Sequence, residues 1–182
     1  ASGRYQFSAL VPESVTALLS LVDAFIAPSR FLAERFVDWG LDAGRITVLP
    51  NQVQPAPHPQ RGPRANPDRF AYFGNIAPHK GVLPLMAATR LAGEALTLDL
   101  HGGLGHAEAG FRREFAEALA ATPNAAHHGS YNRADLPALM ARADWLVLPS
   151  LWWENAPLVV LEARAAGLPV ICSGIGGMAE MV

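Results

Sequence analysis

From residue 69 onward the sequence alternates five times between a short apolar run and a stretch of helical periodicity, and this alternation limits the fold more than any other feature. The apolar runs occupy 70–73, 96–100, 125–128, 145–148 and 169–172. A strand that is followed by a helix rejoins its sheet through a crossover, so five such units predict an α/β domain with a Rossmann-like, doubly wound parallel sheet. The helical reading is firmest where Phe111, Phe115 and Leu119 recur at i, i+4 and i+8 while Arg112, Arg113, Glu114 and Glu117 face outward. Another helix is expected to begin at Asn132, with Asp135 closing a capping box. Residues 177–182 read as the first turn of one more helix, so the chain is expected to stop in mid-unit.

The region before this alternation is built differently. Prolines 55, 57, 59, 63 and 67, with charged and polar residues between them, mark 54–68 as a linker. Ahead of it the pattern gives a helix around 12–21, a strand at 24–27, a helix opened by Ser29 as N-cap and closed at Gly40, and a strand at 46–49. Residues 1–53 are too few for an independent core, and the expectation is that they end a larger N-terminal domain. The second domain then runs over 69–182.

Composition excludes several classes. With 51% hydrophobic and 16% charged residues the chain is neither disordered nor low in complexity. A net charge of -2 provides no electrostatic footprint for nucleic acid. Cys172 is the single cysteine, stands in an apolar run and reads as a small buried hydrophobe, in keeping with a reducing compartment. The apolar stretch 17–27 is broken by Asp23 and is too short to span a bilayer, so the expected location is cytoplasmic.

Open parallel sheets bind ligands beyond the carboxyl ends of their strands, at the point where strand order reverses. In the order 3-2-1-4-5 that point lies between the first and fourth strands of the domain, which selects two loops. The first, 74–81, is a glycine-bounded turn that delivers Lys80 at a helix start, where backbone N–H groups and the helix dipole already favour an anion such as a diphosphate. It is not a Walker loop, because His79 and Gly81 stand where that motif needs Gly and Ser or Thr. On its own, Lys80 reads equally as a solvated lysine at a helix end. The second loop, 149–157, feeds a helix with Pro157 near N1 and carries Glu154, eight residues ahead of Glu162. Glu154 alone could be a stabilising acid at a helix N-terminus. Glu162 lies among Leu158, Val159, Val160, Leu161 and Ala163, so its carboxylate needs a partner, and a pair of ligand hydroxyls would serve. A third glycine-rich turn, 174–180, offers phosphate another set of N–H groups or is a plain strand–helix turn.

These residues together resemble the C-terminal, donor-binding half of retaining glycosyltransferases of the GT-B fold, in the group 1 or family 4 class. The resemblance runs over nearly the whole chain and is most specific over 149–170, which carries the Glu-x7-Glu spacing and the run from Glu162 to Val170. It implies the C-terminal lobe of a GT-B fold preceded by the end of the N-terminal, acceptor lobe. It also implies transfer of a sugar from a nucleoside-diphosphate sugar to an acceptor hydroxyl, with retention of configuration and without a metal cofactor.

By position, the resemblance makes Lys80 and Glu154 the catalytic pair: Lys80 neutralises the departing diphosphate and Glu154 bonds hydroxyls of the transferred sugar. Glu162 would hold the ribose. Gly74, Asn75, Gly81, Asn155, Ala156, Pro157, Leu158, Gly176 and Gly177 would complete the donor-binding surface. Two departures stand out. Asn75 replaces an arginine that many members place five residues before the lysine, and 155–158 reads Asn-Ala-Pro-Leu where many have Gly-Phe-Gly-Leu, so proline removes one N–H donor. The implied partners are the nucleotide sugar and an acceptor glycan or lipid-linked sugar held by the other lobe, with no nucleic acid. Peripheral association of the whole protein with the inner face of a membrane is compatible with such an acceptor.

Other chemistries find little support. There is no Asp-x-Asp pair, no His-Glu-x-x-His and no cysteine pair for a metal, and no Gly-x-Ser-x-Gly elbow for serine hydrolysis. His127 and His128 are neighbours on a strand and must point to opposite faces. His101 and His106 flank a glycine-rich stretch that imitates part of a dinucleotide fingerprint, but it follows the second strand rather than the first. Trp152 and Trp153 could wall the donor pocket or pack in the interior. Tyr131, Asn132 and Arg133 follow the third strand, where capping and surface roles account for them better than contact with a nucleotide base. A non-catalytic module that binds a nucleotide sugar or a partner is the alternative reading.

Overall fold

The computed structural model describes residues 13–53, 68–105 and 107–182, so most of the proposed linker, His106 and Pro12 lie outside the described residues. The chain divides into two compact units, 1–51 and 52–182.

In the first unit, helix α1 (Glu13–Ser20) precedes strand β1 (Phe25–Ala27), helix α2 (Arg30–Asp38), a 3-10 turn (Ala43–Arg45) and strand β2 (Ile46–Val48). Ser29 caps α2 as expected, its hydroxyl accepting the Leu32 N–H at 3.2 Å. Asp42 caps the 3-10 turn by accepting from Gly44 N–H at 2.9 Å. Strands β1 and β2 pair in parallel, with Phe25 opposite Ile46. Ala27 and Ser29 are the fully buried residues here among those described, which is a seam between elements rather than a core.

The second unit is a five-stranded parallel sheet with helices between consecutive strands. Its elements are β3 (Arg69–Phe73), α3 (Val82–Ala92), β4 (Thr97–His101), α4 (Ala109–Ala120), β5 (Ala125–His127), α5 (Leu136–Met140), β6 (Trp145–Leu148), α6 (Leu158–Ala165) and β7 (Val170–Cys172), closing in a 3-10 turn at Gly176–Glu180. The spatial order is β5-β4-β3-β6-β7. Right-handed crossovers therefore put α3 and α4 on one face and send α5 and α6 to the other, which makes the sheet doubly wound.

Because helices cover both faces of the sheet, consecutive strand residues such as Tyr72 and Phe73 are both buried, and they pack with Leu98, Leu100 and Leu146 and with Met86, Phe115, Met140 and Val160 from the helices. Phe111 and Phe115 are buried while Arg112, Arg113, Glu114 and Glu117 are exposed, as the periodicity requires. Polar side chains tie the ends. The Asn124 amide donates to the carbonyls of Gly93 (2.8 Å) and Leu96 (3.0 Å), and Asp144 accepts from Arg69 N–H (3.1 Å) at the start of β3.

Three local expectations need correction. Asn132 makes no side-chain cap, and the segment begins as a 3-10 turn (Arg133–Asp135) held by Asp135 N–H on the Asn132 carbonyl (3.0 Å), because Pro137 lies too close for a regular first turn with a capping box. Pro157 occupies the N-cap of α6 rather than N1. Cys172 is half-buried rather than fully enclosed, and the desolvation it does experience pushes its thiol pKa up.

The placement of the core makes a quantitative forecast. Leu146→Ala, at a fully buried position on β6, is expected to cost about 2–5 kcal/mol in urea denaturation. Leu91→Ala, on the exposed face of α3, should stay within about 0.5 kcal/mol of the unaltered chain. Equal losses in the two variants would overturn the assignment of faces.

Candidate active site

Because β3 and β6 are neighbours in the sheet but not in sequence, the loops at their carboxyl ends turn away in opposite directions. Between them opens a cavity of about 520 Å³.

The loop after β3 ends in a 3-10 turn (Pro78–Lys80) and passes into α3 through Gly81 at φ +72°. A Cβ on Gly81 would lie 1.9 Å from the Pro149 carbonyl oxygen, so only glycine lets the two loops touch. They then share a backbone hydrogen bond, Leu151 N–H to the His79 carbonyl, at 2.8 Å. This contact carries Lys80 into the cavity, where its ammonium pairs with the Glu154 carboxylate. The Ser150 hydroxyl, in a fully buried residue, donates to the same Glu154 Oε1 at 2.9 Å. The Glu154 backbone is held from a third loop, its carbonyl accepting the Gly177 N–H at 2.7 Å. Gly176, at φ +62°, permits that approach, since its Cβ would meet the same carbonyl at 2.6 Å.

Across the cavity Glu162 stands in the second turn of α6 and pairs through Oε1 with the Arg133 guanidinium at 2.9 Å. The carboxylate that the sequence left in search of a partner thus has one within the chain. Tyr72, buried on β3, donates its hydroxyl to the Asn75 carbonyl at 2.7 Å and braces the first loop from below. Burial first, and the Glu154 charge second, raise the Tyr72 pKa, so the phenol stays a donor throughout the working range of a protein. Tyr131 is likewise raised, by burial and then by Glu162.

Of the residues expected from sequence, Gly74, Asn75, Lys80, Glu154, Pro157, Leu158 and Glu162 line this cavity. Gly81 and Gly176 instead supply close backbone approaches, the Gly177 N–H is committed to Glu154, and Asn155 and Ala156 are not among the lining residues. Trp152 is 65% exposed, and neither it nor Trp153 walls the cavity. Sequence reasoning missed Tyr72, which is hidden in an apolar strand, and the serines Ser130 and Ser150 in the loops after β5 and β6. It ranked Tyr131 and Arg133 as capping or surface residues, yet both line the cavity.

A stack of rings supports the rim. His101 lies parallel to Phe73 (4.8 Å) and to His128 (4.6 Å), with Tyr131 edge-on to Phe73 (5.7 Å). His128 bonds Asp99 at 2.6 Å, whereas His127 turns to the other face against Phe115, as strand alternation demands. Burial, then the neighbouring His128, lowers the His101 pKa. Among the described residues no group of three His, Cys, Asp or Glu side chains could hold a metal ion.

Comparison with known proteins identifies the family. The family Glycosyl transferases group 1 matches residues 54–182, and the chain belongs to that family. It is 34% identical over 173 residues to a glycogen synthase of Mycobacterium tuberculosis, covering 88% of this chain and 39% of that one. It is 30% identical over 189 residues to a D-inositol 3-phosphate glycosyltransferase of Salinispora arenicola, covering 95% and 41%. The chain therefore spans about two fifths of the length of these relatives. Among solved structures, the fold matches Anabaena HepE in complex with UDP-glucose (TM-score 0.76, 23% identity, 88% of this chain and 47% of that one). It also matches the sucrose-phosphate synthase of Thermosynechococcus elongatus (TM-score 0.77, 24% identity, 98% and 47%).

The His101 environment sets a pH dependence. A histidine whose folded pKa is depressed contributes stability above its unfolded pKa, about 6.5, and that contribution is lost as pH falls through the folded value. Denaturation midpoints at pH 7.5 and 5.0 should therefore differ more in the unaltered chain than in His101→Phe. An identical difference in both would remove His101 as the cause.

Proposed function

We propose that this chain is the donor-binding part of a glycosyltransferase that moves a sugar from a nucleoside-diphosphate sugar to an acceptor hydroxyl, with retention of configuration. One observation carries the reading. Lys80 and Glu154, from loops on either side of the β3–β6 switch point, meet in one cavity with Glu162 facing them from α6.

The chemistry follows from charge. In the transfer the bond between the anomeric carbon and the phosphate oxygen breaks, the acceptor oxygen bonds to that carbon and gives up its proton to the departing diphosphate, and negative charge gathers on the diphosphate as it leaves. Lys80 and the N-terminal end of α3 supply fixed positive potential for that charge. A diphosphate competes with Glu154 for the Lys80 ammonium, which turns the carboxylate, still bonded to Ser150, toward hydroxyls of the sugar. Glu162 accepts from the ribose hydroxyls. With an ammonium and backbone N–H groups in this role, nucleotide binding is expected to be insensitive to EDTA. The acceptor, a glycan or a lipid-linked sugar, is assigned to the N-terminal lobe, of which residues 1–53 form the end. The cytoplasmic location and any peripheral contact with a membrane belong to the same proposal. Among the described residues no helix is long and apolar enough to cross a membrane.

The two glutamates separate experimentally because their assigned partners lie on different parts of the donor. Glu162→Gln should weaken binding of a bare nucleoside diphosphate about 10- to 100-fold, the worth of charge-assisted hydrogen bonds of roughly 1.5–3 kcal/mol. Glu154→Gln removes the competitor for Lys80 and should therefore leave bare-nucleotide binding intact or tighter, while it impairs the nucleotide sugar, above all in turnover by the full-length protein. Titration calorimetry with nucleotide and nucleotide sugar, beside thermal midpoints, decides between them. Equal losses on the bare nucleotide would sink this division of labour, and a strict requirement for magnesium would sink the metal-free reading.

A further inference from the structure

The ion pair between Arg133 and Glu162 joins the segment after β5 to α6 across the mouth of the cavity. The Arg133 side chain is 70% exposed, and a pair so open to water adds almost nothing to folding stability. Its consequence is local. The guanidinium engages one oxygen of a carboxylate that is only 19% exposed, which fixes the side-chain rotamer and leaves the lone pairs of the second oxygen for a ligand.

The backbone that carries Arg133 is held firmly on both sides. Tyr131 packs edge-on against Phe73 and His101, Leu136 is buried in the core, and Asp135 N–H closes the intervening turn on the Asn132 carbonyl at 3.0 Å. A flexible side chain on a rigid turn, reaching a carboxylate from another helix, is an arrangement for orientation rather than for cohesion.

We propose that Arg133 is a positioning residue: it holds Glu162 so that the carboxylate meets the ribose hydroxyls, and it thereby sets the preference of the site for a ribonucleotide over one without those hydroxyls. The inference rests on the ribose role of Glu162 proposed above. Loss of a pre-ordered rotamer predicts a smaller effect than loss of the carboxylate itself, about 2- to 10-fold in affinity.

The test uses the full chain and whichever of UDP, GDP or ADP binds most tightly, beside its 2′,3′-dideoxy counterpart, with thermal midpoints recorded for every variant. The unaltered chain should prefer the ribonucleotide. Arg133→Ala should lose about 2- to 10-fold on the ribonucleotide and little on the dideoxy form, with its midpoint unchanged. Arg133→Lys should recover most of the loss, and Arg133→Ala should have no further effect in a Glu162→Gln background. Equal weakening of both nucleotides by Arg133→Ala would mean that Arg133 acts on base or phosphate directly, and no weakening of either would make it a bystander. Both results overturn the proposal. If the unaltered chain binds the two forms equally, or binds none of the three nucleotides, the ribose role of Glu162 falls first and this inference with it.

Discussion

The parallel pairing of β3 with β6 is the constraint on which the rest of the domain depends. Phe70 sits opposite Trp145 and Ala71 opposite Leu146, at the one place in the sheet where spatial neighbours are not sequence neighbours. Every crossover to one side of that pair winds one way and every crossover to the other side winds back, so the loops above it have to part. The cavity is what that parting leaves. Its floor is core, with Tyr72, Phe73 and Leu148 all buried, and its charged groups come from loops and from the first two turns of α6. Stability and chemistry are thus assigned to different ends of the same strands.

Within the cavity each carboxylate is matched with one cation drawn from a different element: Lys80 with Glu154, Arg133 with Glu162. A carboxylate in a partly dry site without such a partner would favour its neutral form. The matching keeps both side chains in place and prevents the site from gathering net charge of one sign. In the proposed function an incoming diphosphate meets a Lys80 that is already oriented, so part of the ordering cost of binding has been met during folding.

Much of this was legible in the sequence because it follows from periodicity. The five strands fall within a residue or so of the apolar runs, and the order observed, reversing between β3 and β6, is the 3-2-1-4-5 order from which the two loops were selected. Lys80, Glu154 and Glu162 could be singled out because charged groups among glycines or aliphatic residues are conspicuous. Arg133 could not, since an arginine in a polar turn looks like surface until the distance to Glu162 is known. Tyr72 was hidden for the opposite reason, as an aromatic in a strand reads as core and its hydroxyl bond to Asn75 is a three-dimensional fact. The glycines are conspicuous in the sequence but ambiguous: a tight turn for phosphate and a tight approach of two backbones require the same residue, and only coordinates reveal the approaches at Gly81 and Gly176.

Glu154 is fastened at its carbonyl by Gly177 and at its carboxylate by Ser150 and Lys80. Between the Leu151 N–H, bonded to the His79 carbonyl, and Glu154, the side chains of Leu151 and Trp152 stand in solvent. An arch pinned at both feet can change at its crown without disturbing what the feet hold. A change of length or composition at this crown is therefore expected to leave the pairing of Lys80 with Glu154 in place.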